Sequence, residues 1–294
     1  MLRPAYRVRL CTEWSAGDEA LMIALHARRS AASVAAWRKV HPQRPLLLVL
    51  TGTDLYRDIA SDASAQRSLL LADALVVLNE LGAERLPPAL RPKARVLLQS
   101  CAPRVELPHT RRHLRALMVG HLRAEKDPDT YFRAAQRLAA RSDILFDHVG
   151  GALDPALGAQ ARALAAALPR YRWLGDQPHG TTRRRIQAAH LLVHPSRIEG
   201  GAHVVIEAIR SGTPVLATRI PGNLGLLGGD YAGTFEPGDD AGLARLLERS
   251  RDDPDMLGAL RRQLALRDPR FAPAAENAAL HGLVSELLAP WRTR

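Results

Sequence analysis

The sequence is poor in cysteine and lysine: two of the first, Cys11 and Cys101, and three of the second, Lys39, Lys93 and Lys126. The cysteines belong to neither a CxxC pair nor a His-Cys cluster, which excludes a disulfide framework and argues against structural zinc. Such usage fits a reducing cytoplasm. No apolar run is long enough to cross a bilayer; the best, SLLLADALVVL, is broken by Asp73. The start, MLRPAYRVRL, lacks the apolar core of a signal peptide. There is no aromatic–basic platform and no basic tail, which counts against nucleic acid as a partner. No short internal repeat is visible.

What is present is a long, apolar, arginine-rich chain. Its 294 residues are 47% hydrophobic and 24% charged, enough for about two domains of ~100–200 residues each. The formal net charge is +11, almost all of it arginine. A basic excess favours an anionic ligand. An Ala- and Arg-rich composition also follows from genome base composition, so charge alone names no ligand.

Short apolar runs alternate with helical spacing throughout. In the first half, strands are predicted over 5–13, 20–27, 45–52, 74–79 and 94–99, with helices over 30–40 and 60–71. The stretch 101–115 has prolines, charges and little periodicity, and reads as a link. The pattern then restarts. Strands are predicted over 114–122, 144–151, 171–176, 191–196 and 213–218, and helices over 129–140, 155–168, 181–189 and 202–210. The chain is helical after Pro237. Such alternation predicts an α/β protein of two Rossmann-like domains, 1–108 and 109–294, each with a parallel sheet. The two sheets are expected to face across a cleft, and the C-terminal helix to pack back on the first domain. Ligands in such folds bind at the carboxyl ends of the strands, so residues just after each strand are the candidates.

The stretch SRIEGGAHVVIEAIRSGTPVL (196–216) meets that rule. Glu199, Gly200 and Gly201 occupy a strand-to-helix loop, and Glu207 lies within the apolar pattern of the following helix. Glycines there allow close approach of a ligand to the backbone, and the helix start is a seat for phosphate. Two carboxylates beside it suit a sugar or ribose carried on that phosphate. On spacing alone, two glutamates in a helical region are equally a solvated face.

The stretch resembles the E-x7-E signature of retaining glycosyltransferases with the B-type fold, here Glu199-Gly200-Gly201, Glu207-Ala208 and Gly212-Thr213-Pro214-Val215. The resemblance implies that Glu199 binds donor-sugar hydroxyls, that the loop and helix-start residues Gly200, Gly201, Ala202, His203 and Val204 hold the diphosphate or sugar, and that Glu207 binds the ribose. In VGHLRAEKD, Gly120 and Lys126 match the family's G-R-x-x-x-x-K, while His121 stands where arginine is expected and Arg123 can supply the missing charge. A cation is wanted there because the leaving nucleoside diphosphate gains charge as the glycosidic bond breaks.

On the acceptor side, IALHARRSA places His26, Arg28 and Arg29 after a strand, with Ser30 as N-cap; two arginines at a helix start make an anion site or simply an exposed first turn. LTGTDLYRD places Thr51, Gly52, Thr53 and Asp54 after the next strand, where Asp54 either acts as a base, holds a hydroxyl or caps the helix. Many family members have His-Gly where this chain has Thr51-Gly52. Together these four motifs resemble the selenosugar synthases of selenoneine biosynthesis. That resemblance implies a UDP-sugar donor (UDP-N-acetylglucosamine or UDP-glucose), selenophosphate as acceptor, no metal or other cofactor, and a downstream pathway enzyme as a partner. Glu199, Lys126 and Asp54 are then the catalytic candidates. Against the family pattern, residues 1–19 look like a second strand and its loop, with the first strand–helix unit missing. The rival readings are a related transferase with a sugar or lipid acceptor, and a basic non-catalytic nucleotide- or nucleic-acid-binding protein. His148, His179 and His194 are expected near strand ends, and Tyr171 and Trp173 in the core.

Overall fold

The computed structural model describes residues 1–292. The chain forms two compact units. One comprises residues 1–100, the three residues Glu199–Gly201 and the C-terminal segment from Arg270; the other comprises Cys101–Ile198 and Ala202–Pro269.

The first unit runs β1 (Met22–Leu25), α1 (Ala31–Val40), β2 (Leu46–Val49), α2 (Ile59–Ser61), α3 (Ala63–Leu71), β3 (Ala74–Val77) and β4 (Ala94–Val96). The strands form one parallel sheet in the order β1-β2-β3-β4. β2 and β3, LLLV and ALVV, lack alternation because both faces of these central strands are covered. Trp37 of α1 is fully buried and meets Trp14 edge-on at 5.3 Å. The helix expected over 60–71 is interrupted. A π-helical turn, Asp54–Asp58, leads into α2, and Asp62 then turns to extended backbone and caps α3 by accepting from the Ala65 amide at 2.9 Å. The strand expected over 5–13 does not form. Its alternation is real, but no neighbouring strand completes the ladder, the backbone bonds of Ala5 and Tyr6 close a turn on Leu2, and Leu10 is exposed.

The second unit runs β5 (Leu114–Val119), α4 (Pro128–Arg137), β6 (Ile144–Val149), α5 (Pro155–Ala167), β7 (Tyr171–Trp173), α6 (His179–Ala188), β8 (Leu191–His194), α7 (His203–Ile209), β9 (Val215–Thr218), α8 (Pro221–Leu227), β10 (Thr234–Phe235), α9 (Asp240–Asp252) and α10 (Met256–Arg267). Its six strands are all parallel, in the order β10-β9-β8-β5-β6-β7. α5 and α9 start at aspartate caps, Asp154 and Asp239, whose carboxylates accept first-turn amides. Tyr131, Phe146 and Tyr171 pack edge-on in the core, and the Tyr131 hydroxyl donates to the Ala116 and Asp147 carbonyls. Residues 101–110 form no regular element but are pinned along their length: Arg183 Nη2 donates to the Ala102 carbonyl, Gln187 Nε2 to that of Val105, and His190 Nε2 to that of Thr110.

The last helix, α11 (Pro273–Arg292), belongs to the first unit. Its Leu283 packs with Leu47, Ala74, Val76 and Leu97 on one face of the four-stranded sheet. Glu276 accepts from the amide and hydroxyl of Ser100 at 2.8 and 2.6 Å. No helix among the described residues is long and apolar enough to cross a membrane.

Candidate active site

The loop that follows β5 carries four of the predicted residues: Gly120, His121, Arg123 and Lys126. Its first peptide is held by a buried histidine. His148 of β6 donates from Nε2 to the Gly120 carbonyl at 3.0 Å and accepts the Tyr171 hydroxyl on Nδ1 at 3.1 Å. Both nitrogens are committed to the neutral ring, and burial pushes its pKa down to about 4. The neighbouring chain admits only glycine at 150, where φ is 151° and a Cβ would stand 1.9 Å from the Gly120 carbonyl oxygen. His121 is exposed, and its Nδ1 accepts from the Gly151 amide at 3.1 Å. Trp173 donates its indole N–H to the Gly150 carbonyl at 2.8 Å. Arg123 is exposed; Lys126 is half-buried at the end of a 3-10 turn that closes in Asp127.

Both glutamates of the E-x7-E stretch are withdrawn from bulk solvent, Glu199 at 8% and Glu207 at 4% exposure. Glu207 projects from α7, and three nitrogen groups converge on its Oε1: His179 Nε2 at 2.6 Å, His203 Nδ1 at 3.4 Å and the guanidinium Nε of Arg183 at 3.9 Å. Burial alone would raise its pKa, but the hydrogen bonds from His203 and His179 and the Arg183 charge more than offset it, so the group is held ionised. Helix α7 is shorter than expected, starting at His203 with Ala202 buried before it and ending at Ile209, after which Gly212 turns back at φ 67°. The carboxylate is thus fixed one turn into a short, buried helix. Of the histidines flagged from sequence, His148 and His194 are buried and His179 alone is exposed.

Residues Glu199–Gly201 group with the first unit. Asn79, at the end of β3, donates from Nδ2 to the Gly200 carbonyl at 2.6 Å and accepts the Leu81 amide. A side chain at 200 would put a Cβ 2.4 Å from the Gly52 amide nitrogen, so glycine is required there for packing. Nothing in the local sequence marks Asn79, because its partner Gly200 is more than a hundred residues away in the chain.

The remaining first-unit candidates form one polar network. His26 is buried in left-handed backbone, φ 72°, unusual outside glycine and a mark of a constrained site. Its Nδ1 accepts from the Arg29 amide, leaving Nε2 to donate to Thr53 Oγ1 at 3.2 Å. Asp54 is fully buried, and its oxygens accept from the Ala27 amide, the Thr51 amide and the Thr51 hydroxyl at 2.8, 2.6 and 2.8 Å. It thereby braces the loops after β1 and β2. Ser30 precedes α1 but does not cap it; its hydroxyl donates to the Leu25 carbonyl instead. Arg28 reaches Asp58 at 2.8 Å, so much of its charge is already matched; Asp58, which burial would neutralise, is kept ionised by Arg28 and Arg57. Arg29 is exposed. Among the described residues, no group of three or more His, Cys, Asp and Glu side chains is placed to hold a metal ion.

The family profile of the Glycosyl transferases group 1 matches residues 104–265, more than half of the chain. The chain belongs to the group 1 glycosyltransferases. A D-inositol 3-phosphate glycosyltransferase of Catenulispora acidiphila is 32% identical over 213 residues, 65% of this chain and 46% of that protein. This glycosyltransferase chain thus spans less than half the length of the curated relative it matches. HepE of Anabaena in complex with UDP shares its fold at a TM-score of 0.76 with 17% identity, over 90% of this chain and 78% of that one. Sucrose-phosphate synthase of Thermosynechococcus elongatus does so at 0.73 with 20% identity, over 92% and 74%. The two parallel α/β sheets are those of the B-type glycosyltransferase fold.

Proposed function

We propose that this glycosyltransferase moves the sugar of a UDP-sugar, UDP-N-acetylglucosamine or UDP-glucose, onto selenophosphate. In the proposed reaction the selenium lone pair forms a bond to the anomeric carbon as the bond from that carbon to the UDP oxygen breaks, and UDP leaves with the electron pair. Hydrolysis of the Se–P bond then releases phosphate and the selenosugar. Selenium is ionised near pH 7, so the step needs no strong base, in keeping with the internal commitments of Asp54. Lys126 and Arg123 would offset the charge growing on the diphosphate, and the scheme requires no metal ion. Glu199 would hold hydroxyls of the sugar, Glu207 those of the ribose. The acceptor's charge would be met by Arg29 and the part of Arg28 not neutralised by Asp58. The proposed location is the cytoplasm.

The observation that carries the donor reading is Glu207: a carboxylate buried in a two-turn helix and kept ionised is an acceptor of hydroxyl hydrogen bonds. UDP is named in solved structures of similar fold. A ribose held by two charge-assisted hydrogen bonds, each worth about 1.5–3 kcal/mol, puts the effect of Glu207→Ala at a hundredfold or more in UDP affinity. Calorimetric titration with UDP checks it, and unchanged affinity removes the ribose role. One observation favours a second acceptor. The curated relative's name points to an inositol phosphate, also an oxyanion. Mass spectrometry of products from each UDP-sugar with selenophosphate, inositol 3-phosphate or a neutral sugar separates these readings; UDP release that does not depend on selenophosphate defeats the first.

A further inference from the structure

The turn that carries Lys126 ends in an unusual residue. Asp127 is buried and has left-handed backbone, φ 44° and ψ 54°, at the entry to α4. Glycine would take that conformation without strain, whereas aspartate does so at a cost. The carboxylate explains the choice. Its Oδ2 accepts the Thr130 hydroxyl at 2.8 Å and meets Arg197 Nη2 at 3.1 Å. Arg197 comes from the loop after β8, and its backbone amide separately donates to the Glu125 carbonyl at 2.9 Å. Two independent bonds from one residue therefore bracket Lys126, one on each side in sequence. The ion pair is lopsided: the Arg197 side chain is 54% exposed, that of Asp127 only 3%. An exposed pair would contribute little, but a buried carboxylate that loses its cation is left uncompensated, and the strained turn it anchors is free to relax.

We propose that Arg197 is a positioning residue that fixes the turn bearing Lys126 against the loop after β8, and so sets where the Lys126 ammonium meets the nucleotide diphosphate. The inference rests on the reading of Lys126 as the diphosphate cation. Arg197 acts through Lys126 and does not touch the nucleotide.

The test is UDP affinity by calorimetry, with UDP-sugar KM and kcat, on the full chain. Arg197→Ala should weaken UDP binding roughly tenfold, raising KM more than it lowers kcat, while the far-UV circular dichroism of the folded chain stays that of the wild type. Arg197→Lys should restore part of the loss. Asp127→Gly, which keeps the left-handed turn but removes the carboxylate, should reproduce Arg197→Ala. In a Lys126→Ala background, Arg197→Ala should cost nothing further. Losses that multiply in the double variant would mean that Arg197 meets the nucleotide itself and overturn the proposal. Lys126→Ala with a clear loss but Arg197→Ala without one would overturn the clamp alone. A silent Lys126→Ala would remove the diphosphate reading and the clamp with it.

Discussion

Acidification should loosen the second unit at one place, and the size of the effect follows from His148. Its ring is neutral in the folded protein because burial pushes the pKa from 6.5 to about 4. Once the chain opens, the ring recovers its ordinary value. Between those values the unfolded chain binds a proton that the folded chain refuses, so stability is complete above pH 6.5 and declines as the pH falls toward 4. At pH 5 the linkage gives a loss of about 2 kcal/mol relative to pH 8 from this residue. His190, whose pKa burial also lowers to about 4, adds a term of the same sign. Protonation would also put a second donor on Nδ1, against the Tyr171 hydroxyl. Hydrogen exchange of peptides covering β5 and β6, measured at pH 8 and pH 5 after correction for intrinsic rates, reads the opening free energy. His148→Gln should be less stable at pH 8 yet lose about 2 kcal/mol of the pH-dependent difference. A variant with the full wild-type pH dependence would refute the assignment. The Gly120 peptide, which His148 holds, should open with the strand.

Two further substitutions separate bracing from chemistry. Asp54→Ala leaves the Ala27 and Thr51 amides buried without their acceptor, and at about 1–3 kcal/mol for each should destabilise the first unit by several kcal/mol in urea unfolding; an inactive variant of native stability would instead favour Asp54 as a base. Gly150→Ala forces a Cβ onto the Gly120 carbonyl and should weaken UDP binding through the loop after β5 while leaving the first unit's exchange rates unchanged.

Much of the architecture is legible in the chain because parallel central strands are apolar without interruption. LLLV follows Pro45, ALVV follows Asp73 and LLVH precedes Pro195, and these three strands fall inside the predicted runs. The exceptions have physical causes. The alternating segment over 5–13 has strand propensity but no partner, and a ladder takes two. Helix α8, PGNLGLL, lies in a stretch for which the sequence predicts no element, and its two glycines are poor helix formers; tertiary contacts, among them Asn223 Nδ2 donating to the Thr218 carbonyl, support it. β10 is two residues long and carries no periodicity. At the site, the two glutamates and Lys126 stand out by their spacing. Their neighbours do not: Arg183 is one of three consecutive arginines, and nothing local says which of them turns inward to Glu207. Asp58 and Asn79 act through contacts made across the fold, and Asp127 betrays itself only in its backbone angles.

Helix α11 closes over a sheet whose strands lie in the first hundred residues, with the second unit encoded in between. On the ribosome, Leu47, Ala74, Val76 and Leu97 must therefore wait uncovered while more than half of the polypeptide is synthesised. The second unit has all its own strands before that moment and can mature first. A nascent chain stalled before α11 would present a sticky, unfinished sheet, the natural point for a chaperone to engage.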